Sequence, residues 1–162
     1  MAIHPSVVPL GQILHLNTRL FLNCLDGLTD EAAGRRPVPD ANSPVAVALH
    51  VVDARCSLAS LAGAIFDHPF PAIRAAGSVE KLTTIPTLEV IRSAWNTVSG
   101  ILARRVSEIT EEDLQKPSTV RFPTGDRTVL GTLTFFVQHE SSHIGQLAYI
   151  RRVLGLPAMS YR

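Results

Sequence analysis

The sequence predicts an all-α protein, a four-helix bundle with long inter-helix loops, and three observations carry that reading. Four long segments repeat apolar residues at helical spacing. Each is bounded by recognisable capping or stop residues. Nowhere does the chain alternate apolar and polar positions over enough strands to build a sheet.

The first helix is expected over Val8–Leu25, with Leu10, Ile13, Leu14, Leu20, Phe21 and Leu25 on its core face and Asp26-Gly27 as its stop. The second begins at Ser43, whose hydroxyl can cap free N–H groups. Pro44 follows; it lacks an N–H and fits the first helical position, and the helix is expected to continue to about Phe66. Thr87 starts the third, with Glu89 in the favourable first turn and Ile91, Trp95, Val98, Leu102 and Val106 recurring on one face before it ends ahead of Thr110. The fourth starts at about Thr128 and stops at Gly155-Leu156-Pro157. Gly155 can take the left-handed cap conformation, Pro157 forbids continuation, and Arg151 and Arg152 suit the negative helix end. The intervening loops, residues 29–42, 67–85 and 117–127, are too long for a minimal bundle, so some must cross the bundle or cover a site. Residues 118–129 alternate weakly around Pro123-Thr124-Gly125-Asp126 and are compatible with a small hairpin.

A chain of 162 residues suits one domain, residues 1–162. Its 46 % apolar and 18 % charged residues exclude disorder over most of the length. Fifteen Lys and Arg against 14 Asp and Glu leave a formal charge of +1, without the basic excess that phosphate-backbone binding relies on, so no nucleic-acid partner is expected. Apolar stretches are broken by His50 or Asp53 short of the roughly 20 residues that cross a bilayer, so no membrane partner is expected. The N-terminal region has no basic residue ahead of an apolar segment, and a cytoplasmic location is expected. Cys24 and Cys56 are isolated and are expected to be reduced core thiols.

The chemistry concentrates in Gln138-His139-Glu140-Ser141-Ser142-His143-Ile144-Gly145-Gln146 of the fourth helix. His139 and His143 lie within about 40° of each other on the helical wheel, one turn apart, a spacing that can hold one metal. Thr132, Phe135, Phe136, Ser142, Gln146 and Ile150 share their side, Glu140 is rotated about 100° away, and the histidine face is expected to look inward. The same residues spell H-E-x-x-H, the zinc metalloprotease pattern. The 19 residues after His143 contain no His, Glu, Asp or Cys to complete such a site, which argues against a protease. His50, the one ionisable residue of an apolar run in the second helix, is either a core histidine satisfied by a hydrogen bond or a third ligand.

Taken together, mid-helix His50, the Asp30-Glu31 and Glu111-Glu112-Asp113-Leu114 segments, and His139-x-x-x-His143-x-Gly145-Gln146 continuing to Arg151-Arg152-x-Leu154-Gly155-x-Pro157 resemble the DinB superfamily, which includes YfiT-like hydrolases. The resemblance covers nearly the whole chain. It implies a bundle of unusual helix order, one divalent metal ion, most often zinc or nickel, on His50, His139 and His143, and frequent homodimers. It also implies hydrolysis or transfer chemistry on a small-molecule substrate, the latter with a low-molecular-weight thiol cosubstrate such as bacillithiol or mycothiol. Three imidazoles leave open coordination positions, the mark of a catalytic rather than a closed structural site. Asp53 and Ser57 beside His50, and Ser142 and Gln146 beside His143, are candidates to orient the ligands. A noncatalytic, metal-stabilised binding module is the competing reading.

The remaining features carry bland expectations. His15 is expected at the surface, His4 and His68 in loops, and Arg35-Arg36 and Arg104-Arg105 on solvated faces. Trp95 is expected in the core, and Phe135 and Phe136 as pocket wall or core. Gly145 costs about 1 kcal/mol in a helix interior relative to alanine, and close approach of a neighbouring helix is expected to offset it.

Overall fold

A computed structural model describes residues 3–76, 79–82 and 84–161; residues 77, 78 and 83 of the expected 67–85 loop, and the two ends of the chain, lie outside the described residues. A short 3₁₀ turn, Pro5–Val7, leads into α1 (Val8–Leu25), followed by α2 (Asp30–Gly34), α3 (Pro44–Leu61), α4 (Pro71–Ala76), α5 (Leu88–Glu108), α6 (Glu111–Gln115) and α7 (Val129–Val153). The four long helices are those expected. The starts are set by the side chains the sequence offers: Ser43 accepts from Ala46 N–H, Thr87 from Val90 N–H and Thr128 from Gly131 N–H.

Around the bundle, α7 packs between α1 and α3, and α5 does the same on the other side. Consecutive helices α1 and α3 therefore sit across a diagonal, as do α5 and α7. This explains the long connections after α1 and α5, which must cross the bundle. Each carries a short helix, and that of the second connection is anchored by a capping box between Thr110 and Asp113. Arg105 donates to the carbonyl of Ala62 at the end of α3 and, at 2.7 Å, to Asp113 of α6. It is an inter-element tie rather than the solvated charge expected of it. Arg35 keeps to the expected exposed face, pairing with Glu31 one turn away.

α3 ends five residues earlier than expected. Gly63 takes a positive φ of 94° and lets Ala64 N–H reach back to the carbonyl of Ala59, closing the helix before the apolar residues up to Phe66. Residues 118–129 make one isolated bridge, Pro117 with Thr128, and no hairpin strands. α7 stops as expected, with Gly155 at φ 80°. Arg151 serves a different helix from its own: it is buried and donates to the carbonyls of Asn23, Cys24 and Asp26 at the negative end of α1.

α3 is apolar around most of its circumference. By length and composition it could cross a membrane, the one such helix among the described residues, and 67 % of it is buried within the bundle. It is the central core helix, where His50 and Asp53 interrupt the run without breaking it. Trp95 and both cysteines are buried as expected, and neither cysteine is in a disulfide.

Candidate metal centre

His50 leaves the middle of α3, and His139 and His143 leave α7 one turn apart, where the two helices pack together. Their Nε2 atoms converge: His139 lies 3.2 Å from His50 and 3.1 Å from His143. One nitrogen from each of the three lies within 4.8 Å of the others. Hydrogen bonds alone do not account for this arrangement. A neutral imidazole carries one N–H, and a single Nε2 of His139 cannot direct one proton or one lone pair at two partners. His143 Nδ1 faces Gln146 Oε1 at 2.7 Å, which places the proton of His143 on Nδ1 and turns its Nε2 lone pair toward the group. Burial, reinforced by His143 and His50, pushes the pKa of His139 down to about 4, so its ring is neutral near pH 7. His139 Nδ1 is buried without a hydrogen-bond partner.

This donor set fits a divalent cation. Two imidazole nitrogens bound at about 2.0–2.1 Å to one zinc are about 3.3 Å apart in a tetrahedron and about 2.9 Å apart along an octahedral edge. The observed 3.1 and 3.2 Å lie between these values.

The surroundings correct the helical-wheel reading. The histidine stripe lies at the edge of the α3–α7 contact, with all three rings partly open to solvent, and Ser142 and Gln146 are exposed. The inward face of α7 is centred on Leu133, Val137, Glu140, Ile144 and Leu147, while Thr132, Phe136 and Ile150 of the histidine side are buried as expected. Glu140, expected to point away from the interior, is buried and salt-bridged to Arg55 of α3. Wheel angles rank residues relative to each other, but they do not say which face the neighbouring helices will cover.

Of the residues proposed to orient the ligands, Gln146 contacts His143 as described. Asp53 lies 3.0 Å from His68 Nε2, which ties the segment after α3 back onto that helix. Ser57 is two turns from His50, about 10 Å of helix rise. Ser142 bonds within α7 to Gln138. On the far side of His139, Phe122, Phe135 and Phe136 form an aromatic cluster, with Phe135 and Phe136 centred 5.6 and 6.0 Å from the His139 ring. His15 is exposed on α1, and His4 pairs with Glu111, 2.7 Å away.

Arg55 and Glu140 had no sequence signal beyond their charge in apolar helices. The Arg55 guanidinium gives Nε and Nη2 to the Glu140 carboxylate, Nη1 to Thr18 and Ser99, and Nη2 also to the Leu14 carbonyl. It lies 3.6 Å above the Trp95 ring.

A family model described as the DinB superfamily matches residues 13–147. The chain belongs to the DinB superfamily. The match includes all of α3 and α7 as far as Leu147, so the three ligand candidates of this DinB protein lie inside it. A crystal structure of a conserved protein from Enterococcus faecalis has the same fold, with a TM-score of 0.75 over 96 % of this chain and 99 % of that one at 15 % sequence identity. No curated protein matches the sequence.

Proposed function

We propose that this DinB protein is a metal-dependent enzyme in which His50, His139 and His143 hold one divalent cation, zinc or nickel, and which brings water or a low-molecular-weight thiol against a small-molecule substrate. The observation that supports this reading is the convergence of three imidazole nitrogens at a site still open to solvent. A structural zinc site closes with four protein ligands, whereas three leave room for reactants. When bound, a divalent ion supplies Lewis acidity and lowers the pKa of a water or thiol brought to it.

The chain's own residues supply positioning. Two rigid helices fix the three imidazoles, and Gln146 sets the tautomer of His143. Phe122, Phe135 and Phe136 keep one side of His139 apolar, which strengthens electrostatic interactions there. Neither cysteine suits the role of nucleophile. Burial pushes the Cys24 thiol up to about 11, and Cys56 is fully buried. A thiol route therefore draws its sulfur from a cosubstrate.

The test is elemental analysis of tag-free protein before and after exposure to zinc or nickel, alongside the His50→Ala, His139→Ala and His143→Ala variants. Near-stoichiometric metal in the native protein, lost in all three variants, is the expected result. Absence of metal after loading, or full retention in the variants, would overturn the assignment. Loaded protein is then assayed for hydrolysis and for thiol transfer to electrophilic substrates.

A further inference from the structure

The stripe of α7 that carries His139 and His143 continues through Gln146 and Tyr149 to Val153. There it forms one wall of a cleft of about 650 Å³ whose other wall comes from Val38 in the α2–α3 connection and Val47 of α3. Three observations distinguish this cleft from ordinary surface relief. Gln146 both lines it and hydrogen-bonds His143, so one side chain links the cleft to the histidine cluster. Large apolar side chains are left exposed around it, Tyr149 at 72 %, Val38 at 54 % and Val153 at 45 %, while among the described residues no Lys, Arg, Asp or Glu lines it.

The third observation is Gly145, which lines the cleft in the interior of α7. Its backbone is helical and is not among the positive-φ glycines. A Cβ added there would meet nothing within 4 Å, which overturns the expectation that a neighbouring helix approaches closely. Neither backbone geometry nor packing requires a glycine at this position. What its missing side chain does is keep the cleft open beside His143.

We infer that this cleft seats the uncharged, apolar or aromatic body of the substrate, with its reacting end directed past Gln146 to the three histidines, and that Gly145 and Tyr149 determine which bodies fit. The inference rests on the metal-dependent reading above. The cleft volume lies within the range of small-molecule sites. From His143 to Val153 the helix rises about 15 Å, enough for a medium-length chain or a ring system. An uncharged lining matches an uncharged body, since a buried charge would find no counterpart there.

The probes are straight-chain alkylhydroxamates, from acetohydroxamate to octanohydroxamate, titrated calorimetrically into the zinc-loaded full chain. The hydroxamate head takes the metal and the tail samples the cleft. Affinity is expected to rise roughly fourfold per buried methylene until the cleft is filled. Gly145→Leu, which puts a good helix former into open space and so should fold, is expected to flatten that gain and leave acetohydroxamate binding unchanged. Tyr149→Ala should reduce the gain in part.

If acetohydroxamate binds but longer tails add nothing, or if Gly145→Leu keeps the whole gain, the cleft assignment is wrong while the metal centre stands. If zinc fails to bind, both readings fall; if zinc binds and no hydroxamate does, the metal centre stands and the cleft assignment is overturned. Sedimentation of Tyr149→Ala adds a control: a change in oligomeric state would make the cleft a contact between copies of the chain and overturn the ligand assignment.

Discussion

Helices α3 and α7 carry two polar clusters, and adjacent residues of α7 divide between them, Glu140 serving one and His139 the other. In the Arg55–Glu140 cluster the two side chains are 1 % and 3 % exposed, and all five guanidinium N–H groups have acceptors drawn from α1, α5 and α7. In the histidine cluster the rings are partly exposed, three nitrogens face one another, and a buried ring nitrogen lacks a partner. A charge cluster that satisfies every donor internally is architecture: one guanidinium ties the four long helices together. A cluster whose nitrogens converge at an edge open to solvent can be completed from outside, and the group proposed to complete it is a cation.

The largest effect should come from opening the sealed cluster. Arg55→Ala or Glu140→Ala leaves an uncompensated buried charge and should cost about 3–5 kcal/mol, read by urea unfolding of the metal-free protein. The paired replacement Arg55→Met with Glu140→Leu removes both charges and should recover most of that loss. If the double variant also binds zinc as the native protein does, the two clusters are energetically independent despite sharing a helix turn. A single-variant cost below about 1 kcal/mol would instead mean that the pair behaves like a surface salt bridge, and the contrast would collapse.

The histidine cluster should show the opposite pattern. His143→Ala is expected to change metal-free stability little, because the ring is partly exposed and its neighbours regain water. With free zinc at one hundred times its dissociation constant the native protein should gain about 2.7 kcal/mol, visible as a raised Tm, and the variant should gain none. A large loss of stability in the variant without metal would make these histidines core residues.

The same two clusters explain what was legible in the sequence. The long helices were readable because capping residues such as Ser43-Pro44 and Thr87 act locally, and the helix spacing of His139 and His143 is local too. Joining His50 to them from residues alone left two readings open, since His50 as a core histidine and His50 as a ligand look identical in an apolar run. The resemblance carried by the run from His139 to Pro157 favoured the ligand. Arg55 and Glu140 were invisible as a pair, because their partnership depends on which faces α3 and α7 turn toward each other. That rotation also placed the histidine stripe at an edge rather than inside. The end of α3 differs for a simpler reason: apolar residues continue on both sides of Gly63, and periodicity alone does not show that its backbone turns to a positive φ.

A smaller effect should follow from Gln146. Replacing it with alanine removes the acceptor that holds the proton of His143 on Nδ1, and zinc affinity should fall about 10- to 100-fold with metal-free stability nearly unchanged. Gln146→Glu keeps an acceptor at the same place and should retain most of the affinity. Equal losses in both variants would show that the amide acts through something other than the imidazole tautomer.

The smallest predicted change has the opposite sign. Gly145→Ala adds a methyl group where no atom lies within 4 Å and removes backbone freedom from the unfolded chain, so it should stabilise the metal-free protein by about 1 kcal/mol in urea unfolding. Zinc affinity should not move, because Gly145 touches none of the three ligands through a side chain. A stabilised protein with an unchanged metal site would show that the glycine serves neither fold nor ligation, leaving the cleft as the feature it keeps open. Destabilisation would mean that the helix does require glycine there, through a backbone or packing constraint, and the space beside His143 would lose its significance.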